Sequence, residues 1–83
     1  MGNDADNAKK YNEAFIKVLS IPESKLTDDL EYNSVPEWDS LGHMSLMTEL
    51  EHTFGISMET DDIINFSTFK TGKEILKKYS INL

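Results

Sequence analysis

The sequence predicts an all-α fold: a small bundle of three main helices and one short helix, with a long loop between the first and second. Three observations predict it. Apolar residues recur at three- and four-residue steps in three separate stretches, no segment alternates like a strand for more than a few residues, and the helix-ending residues Pro22 and Gly55 stand where two of those stretches stop. The 83 residues suffice for one domain, residues 1–83, of which 1–6 are expected to be flexible. A domain of this size buries only ~60% of the surface its unfolded chain exposes, so its core must be compact.

The first helix is expected from about Asp6 to Leu19, with Ala8, Tyr11, Phe15, Val18 and Leu19 on its apolar face, Asp4 or Asp6 as cap and Pro22 as stop. Residues 20–39 hold both prolines of the chain and no sustained period. Connections of this length are uncommon in small domains and are often functional. Leu26, Leu30, Tyr32, Val35 and Trp38 are expected to pin this one to the bundle as an ordered loop. The second helix starts at Asp39-Ser40, carries the stripe Leu41, Met44, Met47, Leu50 and Phe54 widened by Leu46, and runs to Thr53 or Phe54, where Gly55 is placed to end it in a left-handed cap. Thr60 opens a short acidic helical turn expected to bury Ile63 and Ile64. A last helix after Ser67-Thr68 sets Phe69, Ile75, Leu76 and Tyr79 on one face. Its lysines at 73, 77 and 78 complement the negative end of its dipole.

Composition narrows the function. There is no cysteine, hence no disulfide framework and no thiolate metal site. The net charge is -7, with no arginine, which argues against a nucleic-acid backbone as ligand. The N-terminal stretch shows no apolar run, so neither a signal peptide nor a membrane anchor is expected, and a cytoplasmic setting is the default. All eight lysines lie outside residues 26–69, a segment that carries ten acids and a charge of -10. A field of one sign can steer a partner of the other, or simply solvate a surface.

Little chemistry is self-contained. His43 and His52 lie nine residues apart and the acids follow no calcium-loop pattern, so no metal site is expected. Ser40 with His43 lacks the orienting partner and nucleophile elbow of a hydrolase, so no catalytic residue is assigned. The remaining feature is Trp38-Asp39-Ser40-Leu41-Gly42-His43-Met44, which places a serine at a helix start after a long loop. Such a serine is most often an N-cap, yet open amides and the positive dipole end also suit a phosphodiester.

At these residues the chain resembles the acyl carrier protein family, the small phosphopantetheine-bearing carriers of fatty-acid, polyketide and related pathways. Asp39-Ser40-Leu41 matches the family's attachment motif. The long loop before it, the helix through Leu46-Met47-Thr48-Glu49-Leu50-Glu51, then Phe54-Gly55-Ile56, Ile63-Ile64 and Ser67-Thr68-Phe69 follow in the family's order over roughly residues 15–79. The resemblance implies an acyl-carrier-like bundle and a 4'-phosphopantetheine arm, donated by coenzyme A, esterified to Ser40 beside Asp39 and Leu41. It implies a monomeric, non-catalytic protein that carries pathway intermediates as thioesters. Its implied partners are a phosphopantetheinyl transferase and acyl-loading and acyl-transferring enzymes with basic docking patches. Glu49, Glu51, Asp61 and Asp62 are the expected docking acids. Met44, Met47, Leu50, Phe54, Ile63, Ile64 and Phe69 are the candidates for contact with an acyl chain, or else ordinary core.

One departure bears on the pathway. Fatty-acid-synthase carriers usually have acids two and five residues after the serine, where this chain has Gly42 and Ser45. That favours a dedicated carrier over a housekeeping one, with Gly42 expected to let a partner or the arm approach the backbone. A carrier for an aminoacyl or polyketide/peptide intermediate is the alternative cargo reading. An acidic helical interaction module, with Ser40 only a cap, is the alternative outside the family.

Overall fold

The computed structural model describes residues 3–83. It is all-helical: α1 (Asn3–Leu19), a 3-10 turn (Glu23–Lys25), α2 (Ser40–Phe54), α3 (Thr60–Asn65) and α4 (Phe69–Lys77). This is the predicted bundle of three main helices and a short one, with the long loop between α1 and α2. Helix α1 begins ahead of Asp6, so Asp4 and Asp6 lie within it and neither stands at its cap. It ends at Leu19 because Ser20 turns left-handed (φ 54°), two residues before Pro22.

The core is built from side chains spaced by helical turns. Tyr11, Phe15 and Leu19 of α1 are fully buried and meet Leu46, Met47 and Leu50 of α2, with Ile75 and Leu76 of α4 also inside. At its centre Phe15 forms T-shaped pairs with Trp38 and Phe69, ring centroids 5.4 Å and 5.0 Å apart, and Phe66 closes the cluster. Edge contacts of this kind add to the burial of large rings. The Tyr11 hydroxyl donates to the Phe69 carbonyl at 2.6 Å, so the one polar atom this ring brings inside is satisfied. Burial pushes that phenol well above its ordinary pKa. Gly72 of α4 is required by this packing, since a Cβ there would lie 2.2 Å from both Phe66 Cζ and the Tyr11 hydroxyl.

The loop is ordered through burial and local bonds. Ile21, Leu30 and Trp38 are buried, while Leu26 and Val35 are half-buried against the core. Tyr32 N–H donates to Ser67 C=O and Phe69 N–H to Leu30 C=O, tying the loop to the entry of α4. Tyr32 departs from expectation: its backbone is anchored but its ring is 37% exposed.

Two helices present a different face from the expected one. Along α2, Leu41 and Met44 are exposed while Leu46, Met47 and Leu50 are buried. The cause is helical phase, because each three-residue step falls about 60° short of a full turn. Leu41, nine residues before Leu50, thus faces about 180° away from it. In α3 the polar residue is inside: Asp62 is 4% exposed, Ile63 is half-buried and Ile64 is 69% exposed.

Asp62 can lie inside because it is doubly bonded. Lys78 Nζ donates to Oδ1 at 2.6 Å and the Tyr79 hydroxyl to Oδ2 at 2.5 Å, while that hydroxyl accepts from Glu59 N–H at 2.9 Å. The C-terminal end of α4 thus clips both ends of the first turn of α3. The bonds from Lys78 and then Tyr79 hold the Asp62 carboxyl below the usual aspartate range. A depressed folded pKa means that the clip stabilises the fold above the unfolded value and is lost as pH falls through the folded one. Thermal melts taken from pH 6 down to about pH 2 should show a steeper loss of stability in the wild type than in Asp62→Asn, with the excess confined to below about pH 4.

Candidate functional site

Ser40 is the first residue of α2, and the cap is the residue before it. Asp39 has extended backbone (φ -106°, ψ -167°) and its Oδ1 accepts from Gly42 N–H at 2.8 Å. Its main-chain carbonyl takes His43 N–H at 2.7 Å. That second bond is the first of the helix ladder, and the side chain covers one of the orphan amides at the helix start, that of Gly42, while those of Ser40 and Leu41 have no acceptor among the described residues. The Ser40 hydroxyl is released from capping and sits exposed at the positive end of a 15-residue helix.

Gly42 is explained by the chain itself rather than by an approaching partner. A Cβ at this position would lie 2.1 Å from the carbonyl oxygen of Glu37, so the loop backbone already occupies the space beside the helix. That close approach carries Trp38 into the core and its indole to His43. Trp38 Nε1–H donates to His43 Nδ1 at 3.0 Å, and His43 Nε2 lies 2.8 Å from Ile63 C=O. An indole N–H can only donate and a carbonyl can only accept, so the imidazole is the neutral Nε2–H tautomer. The His43 ring lies within 18° of the Trp38 plane, side by side across their hydrogen bond, and meets Tyr32 at 81°. With both ring nitrogens engaged, it is not a base for Ser40. The sequence offered only its place one turn after Ser40.

These contacts frame an apolar cleft of about 280 Å³ next to Ser40, lined also by Tyr32, His43, Met44, Ile63, Ile64, Phe66 and Ser67. The seven acyl-contact candidates divide accordingly. Met44, Ile63 and Ile64 line the cleft, whereas Met47, Leu50 and Phe69 are buried core and Phe54 packs against that core. Tyr32, Phe66 and Ser67 were missed, since they come from segments without helical period.

The four expected docking acids divide as well. Asp61 is exposed, and its side chain has no hydrogen-bond or ion-pair partner among the described residues. Asp62 is buried in its clip, and Glu51 accepts from Met58 N–H at 2.8 Å at the α2 terminus. Glu49 is half-buried beside Lys17 and Thr53, at 3.4 Å from each. Among the described residues no group of three side chains could hold a metal ion, and no helix is long and apolar enough to cross a membrane.

A family model described as the phosphopantetheine attachment site matches residues 13–71, from the middle of α1 into α4. The chain belongs to this phosphopantetheine-attachment family. Searches of curated proteins and of solved structures found no match. Members of the family carry 4'-phosphopantetheine covalently on a serine, so this chain has a phosphopantetheine carrier role. The start of α2 suits such a group: an exposed hydroxyl, two open amides, the positive end of a helix and an adjacent apolar cleft.

The division of labour between Asp39 and Ser40 is measurable in the unmodified protein. Asp39→Ala should lower unfolding stability by about 1 kcal/mol, while Ser40→Ala should leave the urea midpoint nearly unchanged. His43→Leu strands the Trp38 N–H and the Ile63 carbonyl, and should cost about 1–3 kcal/mol in the same denaturation series.

Proposed function

We propose that Ser40 is the attachment residue and that this protein carries pathway intermediates as thioesters on the attached arm. The observation that carries the reading is the exposed hydroxyl at the start of α2, freed by the Asp39 cap and opening on an apolar cleft. A separate transferase would supply base and magnesium. Ser40 Oγ attacks the phosphate of coenzyme A nearer the pantetheine and forms a phosphodiester; the pyrophosphate bond breaks, the adenosine bisphosphate portion leaves, and the serine proton passes to the transferase. The arm's terminal thiol supplies the thioester chemistry that a chain without cysteine lacks.

The chain's own residues then hold and present. The two open amides and the dipole of α2 steady the phosphate at the start of the helix. Met44, Ile63 and Ile64 offer an apolar wall to the proximal part of an acyl cargo. Farther inward Phe66, Trp38 and Phe15 fill the space, so this reading gives the cargo a surface cleft rather than a deep tunnel. His43, with both ring nitrogens engaged, is no base for Ser40, in keeping with a carrier modified by a separate transferase. The helical-cap alternative for Ser40 loses its basis, because Asp39 is the cap. A dedicated pathway is favoured over a housekeeping one, because the Glu37 carbonyl leaves no room for an acidic side chain at position 42.

Incubation with coenzyme A, magnesium and a broad-specificity phosphopantetheinyl transferase, read by intact mass, tests the assignment. The wild type and Ser67→Ala should each gain one phosphopantetheine and Ser40→Ala none. A gain on Ser40→Ala that disappears in Ser67→Ala would move the site across the cleft.

A further inference from the structure

Among the described residues, His43 is the cleft-lining residue whose side chain is bonded on both sides. Its Nδ1 accepts from the Trp38 indole of the loop at 3.0 Å, and its Nε2–H donates to the Ile63 carbonyl of α3 at 2.8 Å. The ring stands at the inner end of the cleft. Outside it are Met44 and Ile64, 52% and 69% exposed. Behind it are Trp38 and Phe66, both buried, with ring centroids 6.2 Å from the imidazole.

An alkyl chain tethered at Ser40 meets three seams between the cleft and the interior. The seam between the loop and α2 is crossed by the Trp38–His43 bond, and the seam between α2 and α3 by the bond from His43 to Ile63. The third, between the loop and the segment joining α3 to α4, is closed by Tyr32 N–H on the Ser67 carbonyl at 2.8 Å. Parting either of the first two leaves an indole N–H or a carbonyl without a partner in the interior. Met44 and Ile64 incur no such loss when they move. Beyond the seams Phe15, Trp38 and Phe66 already occupy the space, so an entering chain would displace packed rings rather than fill a void.

We propose that His43 sets the depth of the cargo site: bonded to Trp38 and Ile63, it bolts the cleft shut at its inner end, and the protein carries short acyl groups that end at the imidazole. Longer alkyl chains gain no further contact with the protein. The proposal rests on the carrier reading of Ser40, and it makes His43 a specificity-determining residue.

The test loads the full chain with a broad-specificity phosphopantetheinyl transferase and acetyl-, butyryl-, octanoyl- or dodecanoyl-coenzyme A. Loading is confirmed by intact mass, and each product is melted. In the wild type the octanoyl and dodecanoyl forms should melt within about 1 °C of the butyryl form. In His43→Ala the dodecanoyl form should melt about 4 °C or more above its own acetyl form, a comparison from which the lower basal stability of the variant cancels. His43→Gln offers an amide oxygen to the indole and an amide N–H to the carbonyl, and should restore the flat series. Ile75→Val loosens the core away from the cleft lining and should also stay flat. A wild type whose melting temperature climbs with chain length as steeply as that expected of His43→Ala overturns the bolt, whether or not the variant folds. A flat series in a folded His43→Ala, or an equal climb in Ile75→Val, overturns it as well, and each of these results leaves Ser40 as the attachment residue. A folded wild type that takes up no acyl-phosphopantetheine overturns the carrier reading, and the role of His43 with it.

Discussion

The neutral imidazole of His43 accepts from Trp38 through Nδ1 and reaches Ile63 C=O through Nε2, so the three segments around Ser40 are held to one another by one side chain. The loop, the first turn of α2 and α3 share few other polar links. Everything at the site follows from this joint. It requires Trp38 to enter the core, which requires the Glu37 carbonyl to lie against α2, which in turn requires glycine at 42. A serine whose flanks are held this firmly needs no rearrangement of its own helix before a partner approaches it.

Helix α3 illustrates how a six-residue element is kept in place without a hydrophobic stripe. Isolated helices of this length do not persist in water, so tertiary contacts decide its position. Asp62 ties its N-terminal half to Lys78 and Tyr79, and the Ile63 carbonyl ties its C-terminal half to His43. Because polar bonds hold it, Ile64 is free to face outward beside Ser40. The geometry that removes Asp62 from the surface is therefore the same geometry that makes the surface apolar.

Much of this was legible in the residues. The extent of α2 followed from Asp39-Ser40 and Gly55, with Gly55 left-handed at φ 64°, whereas the sequence left open that Asp39 and not Ser40 is the cap. The loop was expected to be pinned, and Leu30 and Trp38 pin it. The less legible features share a cause, namely pairing between distant segments. Periodicity places Leu41 and Met44 with Leu50, but three-residue steps drift around the helix, and neighbouring elements determine which part of the drift is buried. Asp62 reads as a surface acid until Lys78 and Tyr79 are known to reach it, and the cleft walls Tyr32 and Ser67 lie 35 residues apart without a shared pattern. The Gly42 departure from the fatty-acid-synthase pattern was visible as a residue, while its reason, a carbonyl five residues earlier, was not.

Trp38 is the sole tryptophan of the chain, fully buried, and it is hydrogen-bonded to an imidazole one turn from Ser40. The protein therefore contains its own optical probe at the junction of loop and helix. Ultraviolet emission from this indole reports whether the ring remains dry and hydrogen-bonded, without a label and without background from a second fluorophore of its kind. Whatever is tethered at the serine, or docked against it, can be followed in real time by the colour and brightness of one side chain.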